Sequence, residues 1–148
     1  MSVDIHHCVN TCNGLLRGER SAVDTYGKVL EKYRDQTEVS RELERIRDEH
    51  VSAVHLLEEN VRSMGGEPAP DAGTWGLFAT AIQASANLFG AGSALESLKS
   101  GESAGRGDYE KSLEDDGVMP ECKEMIRSRL LPSIMAHIST LDRLQKLT

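Results

Sequence analysis

A chain of 148 residues is long enough to bury a sizeable core, and by length it reads as one domain. Its 24 acidic against 17 basic side chains leave a net charge of -7, which argues against a nucleic-acid partner. There is no apolar run of about 18 residues to span a membrane, and MSVDIHHCVNTCNG has neither the basic nor the apolar region of a signal peptide. An odd count of three cysteines fits a reducing compartment, so a cytoplasmic location is expected.

Residues 4–34 read as a first helix. Its apolar stripe is Val9, Cys12, Leu16, Glu19, Val23, Tyr26, Leu30 and Tyr33, with steps of three and four, and Glu19 stands where leucine would be expected. A short polar connection predicts an antiparallel second helix over 38–64, with stripe Leu43, Ile46, His50, Ala53, Leu57, Val61 and Met64. Gly65 and Gly66 stop it, and His50 is its polar intruder. Two prolines in EPAPDAG then turn the chain away, and Trp75, Phe78, Ile82 and Ala86 space a crossover helix over 75–88.

Ser93 is a plausible N-cap for a third helix over 94–114, with stripe Leu95, Leu98, Glu102, Gly105, Tyr109 and Ser112. Gly101, Gly105 and Gly107 weaken it by roughly 1 kcal/mol each relative to alanine, tolerable if a neighbouring helix approaches closely there. Pro120 suits the first turn of a fourth helix over 120–146, with stripe Ile126, Leu130, Ile134, His137, Leu141 and Leu144. Pro132 removes a backbone donor and frees the carbonyl of Ser128, so a kink or bulge is expected there.

The stretch from Leu15 to Glu31 returns from Leu98 to Glu114 at an offset of 83 residues. Leu15, Gly18, Glu19, Tyr26, Lys28, Leu30 and Glu31 match Leu98, Gly101, Glu102, Tyr109, Lys111, Leu113 and Glu114. Two such copies imply an internal duplication of helical hairpins rather than a solenoid. Measured from the hairpin turns, Glu19 and His50, and likewise Glu102 and His137, differ in height by about one helical turn, on the order of 5 Å. All four can therefore meet in one layer.

Buried charges are paired or bound to metal. Two glutamates and two histidines offer the donors of zinc, iron or manganese, and facing helices are where bundles build such sites. The metal-free alternative is a buried network in which each glutamate accepts a hydrogen bond from a histidine or tyrosine across the bundle. Tyr26 and Tyr109 stand two turns from the glutamate of their own helix and are not its direct partners. His6, His7, Cys8 and Cys12 form a weaker soft-ligand cluster at a fraying end, and Cys122 has no base beside it in sequence and reads as inert.

GERSAVDTYGKVLE, the Met64-Gly65-Gly66-Glu67-Pro68 stop, the Gly/Trp crossover and the GES…Y…L segment before His137 together resemble a bacterial ferritin-like family. It is the one catalogued as domain of unknown function 2383, and the resemblance spans about residues 5–146. It implies an all-α ferritin-like bundle with a crossover between the second and third helices. In that superfamily each hairpin supplies one glutamate and one Glu-x-x-His, together holding two metals. Glu19 and Glu102 match the single glutamates. The second element departs, because Arg47 stands three before His50, Ile134 three before His137 and Ser52 three after Glu49.

With four ligands of about six, and Glu49 a fifth only if its helix rotates or bulges, the expectation is a non-catalytic or stress-associated bundle. It holds a single metal (iron, manganese or zinc) or none. One alternative is a di-metal oxidative enzyme or iron-handling protein. Another is an interaction module that forms a homodimer through the crossover helix.

Overall fold

The computed structural model describes residues 4–72 and 91–147, which form helices and turns without a strand. We number the helices α1 (Ile5–Lys32), α2 (Thr37–Ser63), α3 (Ala91–Leu113), α4 (Pro120–Met125) and α5 (Leu131–Gln145). A π-helical turn, Ile126–Leu130, joins α4 and α5 into one rod, so the described residues form four rods.

Local signals account for most boundaries. The Asp4 carboxylate accepts the backbone N–H groups of His6 and His7 and caps α1. Gly65 ends α2 at φ +83°, a left-handed conformation that costs glycine nothing, and the Gly66 N–H returns to the Val61 carbonyl at 3.0 Å. Pro120 occupies the first turn of α4, where its missing N–H is no loss. Pro132 cannot donate one turn back to Ser128, and just before it the Leu131 N–H reaches the Ile126 carbonyl, a five-residue step. The bulge expected at Pro132 is this π-turn.

Side-chain pairs fix the directions of the rods. Glu19 meets His50 and Cys12 meets Asn60, so α1 and α2 are antiparallel. Lys99 meets Asp142 and Glu102 meets His137, so α3 and α5 are antiparallel too. Tyr26 with Glu102, and Tyr109 with Glu19, set α3 antiparallel to α1. Contacts from Glu49 to His137 and from Arg45 to Thr140 do the same for α2 and α5. It follows that α2 and α3 run the same way.

The core divides in two. One apolar cluster gathers Tyr26, Val29, Leu43, Ile46, Leu95, Leu98, Leu141 and Leu144. The other gathers Cys8, Cys12, Leu16, Leu57, Val61, Tyr109, Ile126, Leu130 and Ile134. Between them lies a polar layer made of Glu19, His50, Glu102 and His137, all at most 5% exposed.

Three details depart from the sequence-based expectations. The buried face of α1 includes Cys8, Leu15, Ala22 and Val29, while Val9, Val23 and Leu30 are only partly buried, because α1 packs against both α2 and α3 and needs a broader stripe. Ser93 lies inside α3, which begins at Ala91, so it is not the N-cap. Of the α3 glycines, Gly105 would bring a Cβ within 3.3 Å of Ile134 Cδ1, but Gly107 faces open space and its place is not explained by close helix approach. The crossover helix expected over 75–88, and the dimer surface assigned to it, lie outside the described residues.

Candidate metal centre

Every side chain of the polar layer is delivered by a different rod: Glu19 from α1, His50 from α2, Glu102 from α3 and His137 from α5. Each sits in the inward stripe of its helix, so the helical period alone aims them at the same axis.

The four residues, with Glu49, form a continuous series of alternating carboxylates and imidazoles. His50 Nδ1 lies 2.5 Å from Glu19 Oε2, and His50 Nε2 lies 2.8 Å from Glu102 Oε2. His137 Nδ1 lies 3.4 Å from Glu102 Oε1, and its Nε2 lies 2.8 Å from Glu49 Oε1. The two imidazole rings tilt toward each other with centroids 4.7 Å apart. Arg45 donates to Glu49 Oε2 at 2.8 Å and ends the series near the surface, where Glu49 is 39% exposed.

Two tyrosines brace the carboxylates crosswise. Tyr26 of α1 donates to Glu102 of α3 at 2.5 Å, and Tyr109 of α3 donates to Glu19 of α1 at 2.6 Å. Neither tyrosine bonds the glutamate of its own helix. Ser133, one turn before His137, adds a hydroxyl 3.3 Å from both Glu49 Oε1 and His137 Nε2.

Electrostatics follow from this geometry. Burial would push His50 toward its neutral form, but the carboxylates of Glu102 and Glu19 at its two nitrogens outweigh burial and hold it well above its ordinary value. Because a carboxylate only accepts, a His50 donating from both nitrogens is an imidazolium. Burial would likewise raise Glu102, yet His50 and His137 hold its carboxyl down at about 2. Glu49 is lowered by His137 and Arg45 against the opposing effect of burial. Burial, followed by the carboxylate each faces, pushes Tyr26 and Tyr109 well above the usual phenol range, so both remain donors.

Two clefts reach the layer. One of about 180 Å³ opens between α2 and the α4–α5 rod and is lined by Glu19, Glu49, His50, Arg129, Ser133 and His137 among others. The second, about 200 Å³, opens between α1 and α3 beside Glu19 and Tyr109, where Gly14, Gly18 and Gly105 leave room.

The structure therefore brings together the four residues singled out from the sequence, with Glu49 at their edge. It does not place them equivalently. His50, Glu102 and His137 offer one ligand atom each, all within 4.8 Å of one another, whereas Glu19 sits at the opposite nitrogen of His50. Glu49 takes part without a bulge in its own helix, since α2 is continuous from Thr37 to Ser63 and Glu49 still reaches His137. Arg45 and Ser133 were not singled out as partners of the layer. A histidine or tyrosine donating to each glutamate across the bundle was expected for the metal-free network, and Tyr26 with Glu102 and Tyr109 with Glu19 make those bonds. Of the N-terminal cluster, His6 is exposed and His7 turns to Asp115 at 2.6 Å, while Cys8 and Cys12 point inward and meet Cys122.

Among the described residues no helix is long and apolar enough to cross a membrane. No curated protein and no solved structure matches the chain. One family model does, over residues 7–115, a stretch that holds Glu19, Tyr26, Glu49, His50, Glu102 and Tyr109 and stops short of His137. With most of its length matched, the chain belongs to the family described as domain of unknown function DUF2383.

Proposed function

We propose that this chain is a ferritin-like bundle whose buried layer binds one divalent metal ion through His50, Glu102 and His137, in a holding rather than a catalytic role. One observation carries the reading. Three buried donors converge within 4.8 Å, and each histidine has its other ring nitrogen fixed by an outer carboxylate, Glu19 for His50 and Glu49 for His137. Carboxylate–histidine pairs of this kind orient metal-ligating imidazoles and raise their basicity. Two histidines and one carboxylate suit iron(II) or manganese(II), and also zinc. The cleft beside Glu49 and Ser133 leaves space for water or a small anion as a further ligand.

Binding requires His50 to release the proton it holds toward Glu102, so affinity falls as the medium becomes acidic. Glu19 and Glu49 act in this reading as outer partners. The donor count then favours one metal over the two that a di-metal oxidative enzyme needs. The antiparallel pairs α1/α2 and α3/α5, with α2 and α3 running the same way, support the ferritin-like arrangement. The matched glutamates and tyrosines support a duplicated hairpin.

A second reading rests on a different observation. Among the described residues no buried side-chain nitrogen or oxygen lacks a hydrogen-bond partner, so the layer is complete as a metal-free structural network. Elemental analysis of protein purified without chelator, combined with X-ray absorption at the metal edge, separates the readings. Near one iron, manganese or zinc per chain with a nitrogen and oxygen shell supports the proposal. None, even after reconstitution, leaves the structural network, and near two revives the di-metal enzyme.

A further inference from the structure

The second apolar cluster contains a group of side chains that the polar layer does not use. Cys8 and Cys12 share one face of α1, four residues apart, and Cys122 approaches them from α4. The Cys12 and Cys122 sulfurs are 3.1 Å apart, and all three sulfurs lie within 4.8 Å of one another. None is more than 1% exposed.

Every sulfur also receives an N–H donor. Asn60 Nδ2 lies 3.2 Å from Cys12 Sγ and 3.5 Å from Cys122 Sγ, and the Met119 backbone N–H lies 3.4 Å from Cys8 Sγ. Donors aimed at sulfur stabilise thiolate charge. A purely apolar packing role for the three cysteines would call for neither the convergence nor the donors. Asn60 also lines a surface depression with Leu56, Ser63 and Met125, which brings solvent to the far side of the residue that touches two of the sulfurs.

We infer that Cys8, Cys12 and Cys122 form a three-thiolate site for a soft, thiophilic d10 cation, with copper(I) the expected occupant, separate from the histidine–glutamate layer. Three sulfurs around one ion at roughly 2.3 Å stand about 4 Å apart in a trigonal plane. Cys12 and Cys122 would have to open by about an ångström, and the 4.8 Å bound on the group already accommodates the rest. Structural zinc takes four ligands, and the group offers three among the described residues. Thiolate ligands select copper(I), which is content with three. Loading displaces the thiol protons to solvent and leaves the oxidation state of sulfur and metal unchanged.

The test is an anaerobic titration of the reduced, metal-stripped chain with copper(I) in competition with a chromogenic copper(I) chelator. Expected are one copper(I) per chain, an ultraviolet thiolate-to-copper charge-transfer band and a sulfur-only first shell by X-ray absorption. Cys122→Ser and Cys12→Ser should each weaken binding by more than the ~10–100-fold that losing an outer-shell partner costs, with far-UV circular dichroism establishing that the variants fold. Should either variant unfold, the first shell of the wild-type complex still decides. A nitrogen or oxygen shell would overturn the inference, as would failure to take copper from the chelator or binding unchanged by the serine substitutions. It would equally be overturned if the chain, unfolded without reductant, shows a single reactive thiol, which would mean that Cys12 and Cys122 are joined in a disulfide.

Discussion

Tyr109 donates its hydroxyl to Glu19 Oε1 at 2.6 Å, and among the described residues that oxygen has no other hydrogen-bond partner. Tyr26 makes the equivalent contact to Glu102 Oε2, but that oxygen also faces His50. The two contacts look alike and should not be worth the same.

Tyr109→Phe strands a buried carboxylate oxygen, whereas Tyr26→Phe leaves Glu102 with both histidines. Removing a donor to a charged acceptor costs about 1.5–3 kcal/mol, with more at stake where the acceptor is orphaned. Urea denaturation should place Tyr109→Phe near the top of that range and Tyr26→Phe at or below its bottom. The reverse order would contradict the assignment.

Outer and inner ligands should separate in metal affinity. Glu19→Gln keeps a hydrogen-bond acceptor at His50 Nδ1 but removes its charge, so metal binding should weaken by ~10–100-fold without vanishing. Glu102→Ala removes a direct donor and should abolish it. Calorimetric titration with manganese(II), which has little taste for thiolate, reads this without interference from the cysteines. Equal losses in the two variants would place Glu19 among the direct ligands.

Acid should act on the metal-free protein through Glu102. Its folded-state carboxyl sits at about 2 against an ordinary 4.5, so its stabilising contribution is fully present above 4.5 and is lost as pH falls toward 2. The contribution is on the order of 3 kcal/mol. The stability gap between wild type and Glu102→Gln, measured by denaturation on the metal-stripped chains, should therefore shrink across that window. A gap that stays constant with pH would argue against ionised Glu102 in the folded core.

Glycine positions give a test of the packing that needs no metal. A Cβ at Gly14, Gly18 or Gly107 would meet nothing within 4 Å, so alanine there should raise stability by about 0.5–1 kcal/mol each. Gly66→Ala should lose stability instead, since its Cβ would lie 2.7 Å from Val9 Cγ1. Thermal denaturation of the four variants checks both signs, and a gain at Gly66 would contradict the packing described.

Much of this architecture is legible in the chain because helix periodicity makes an ionisable residue in an apolar stripe conspicuous. Glu19, His50, Glu102 and His137 announce themselves in that way, and Pro132 signals the widened turn that precedes it. Pairing across the bundle leaves no comparable mark. Cys122 lies 110 residues from Cys12 and nothing local to either indicates that their sulfurs meet. Glu49 is adjacent to His50, and a step of one residue rotates about 100° around α2. The periodic reading put Glu49 off the stripe, yet that rotation lets it reach α5 while His50 reaches α1 and α3. The start of α3 at Ala91 falls earlier than predicted because Gly92 argues by propensity against a helix and Ser93 reads as a cap.

The central claim is that His50, Glu102 and His137 hold one metal ion, and it is tested most directly by titrating the metal-stripped chain with iron(II) or manganese(II) beside His137→Ala. The account predicts one site per wild-type chain and none in a folded His137→Ala. No binding by the wild type, or binding that survives loss of His137, would contradict it.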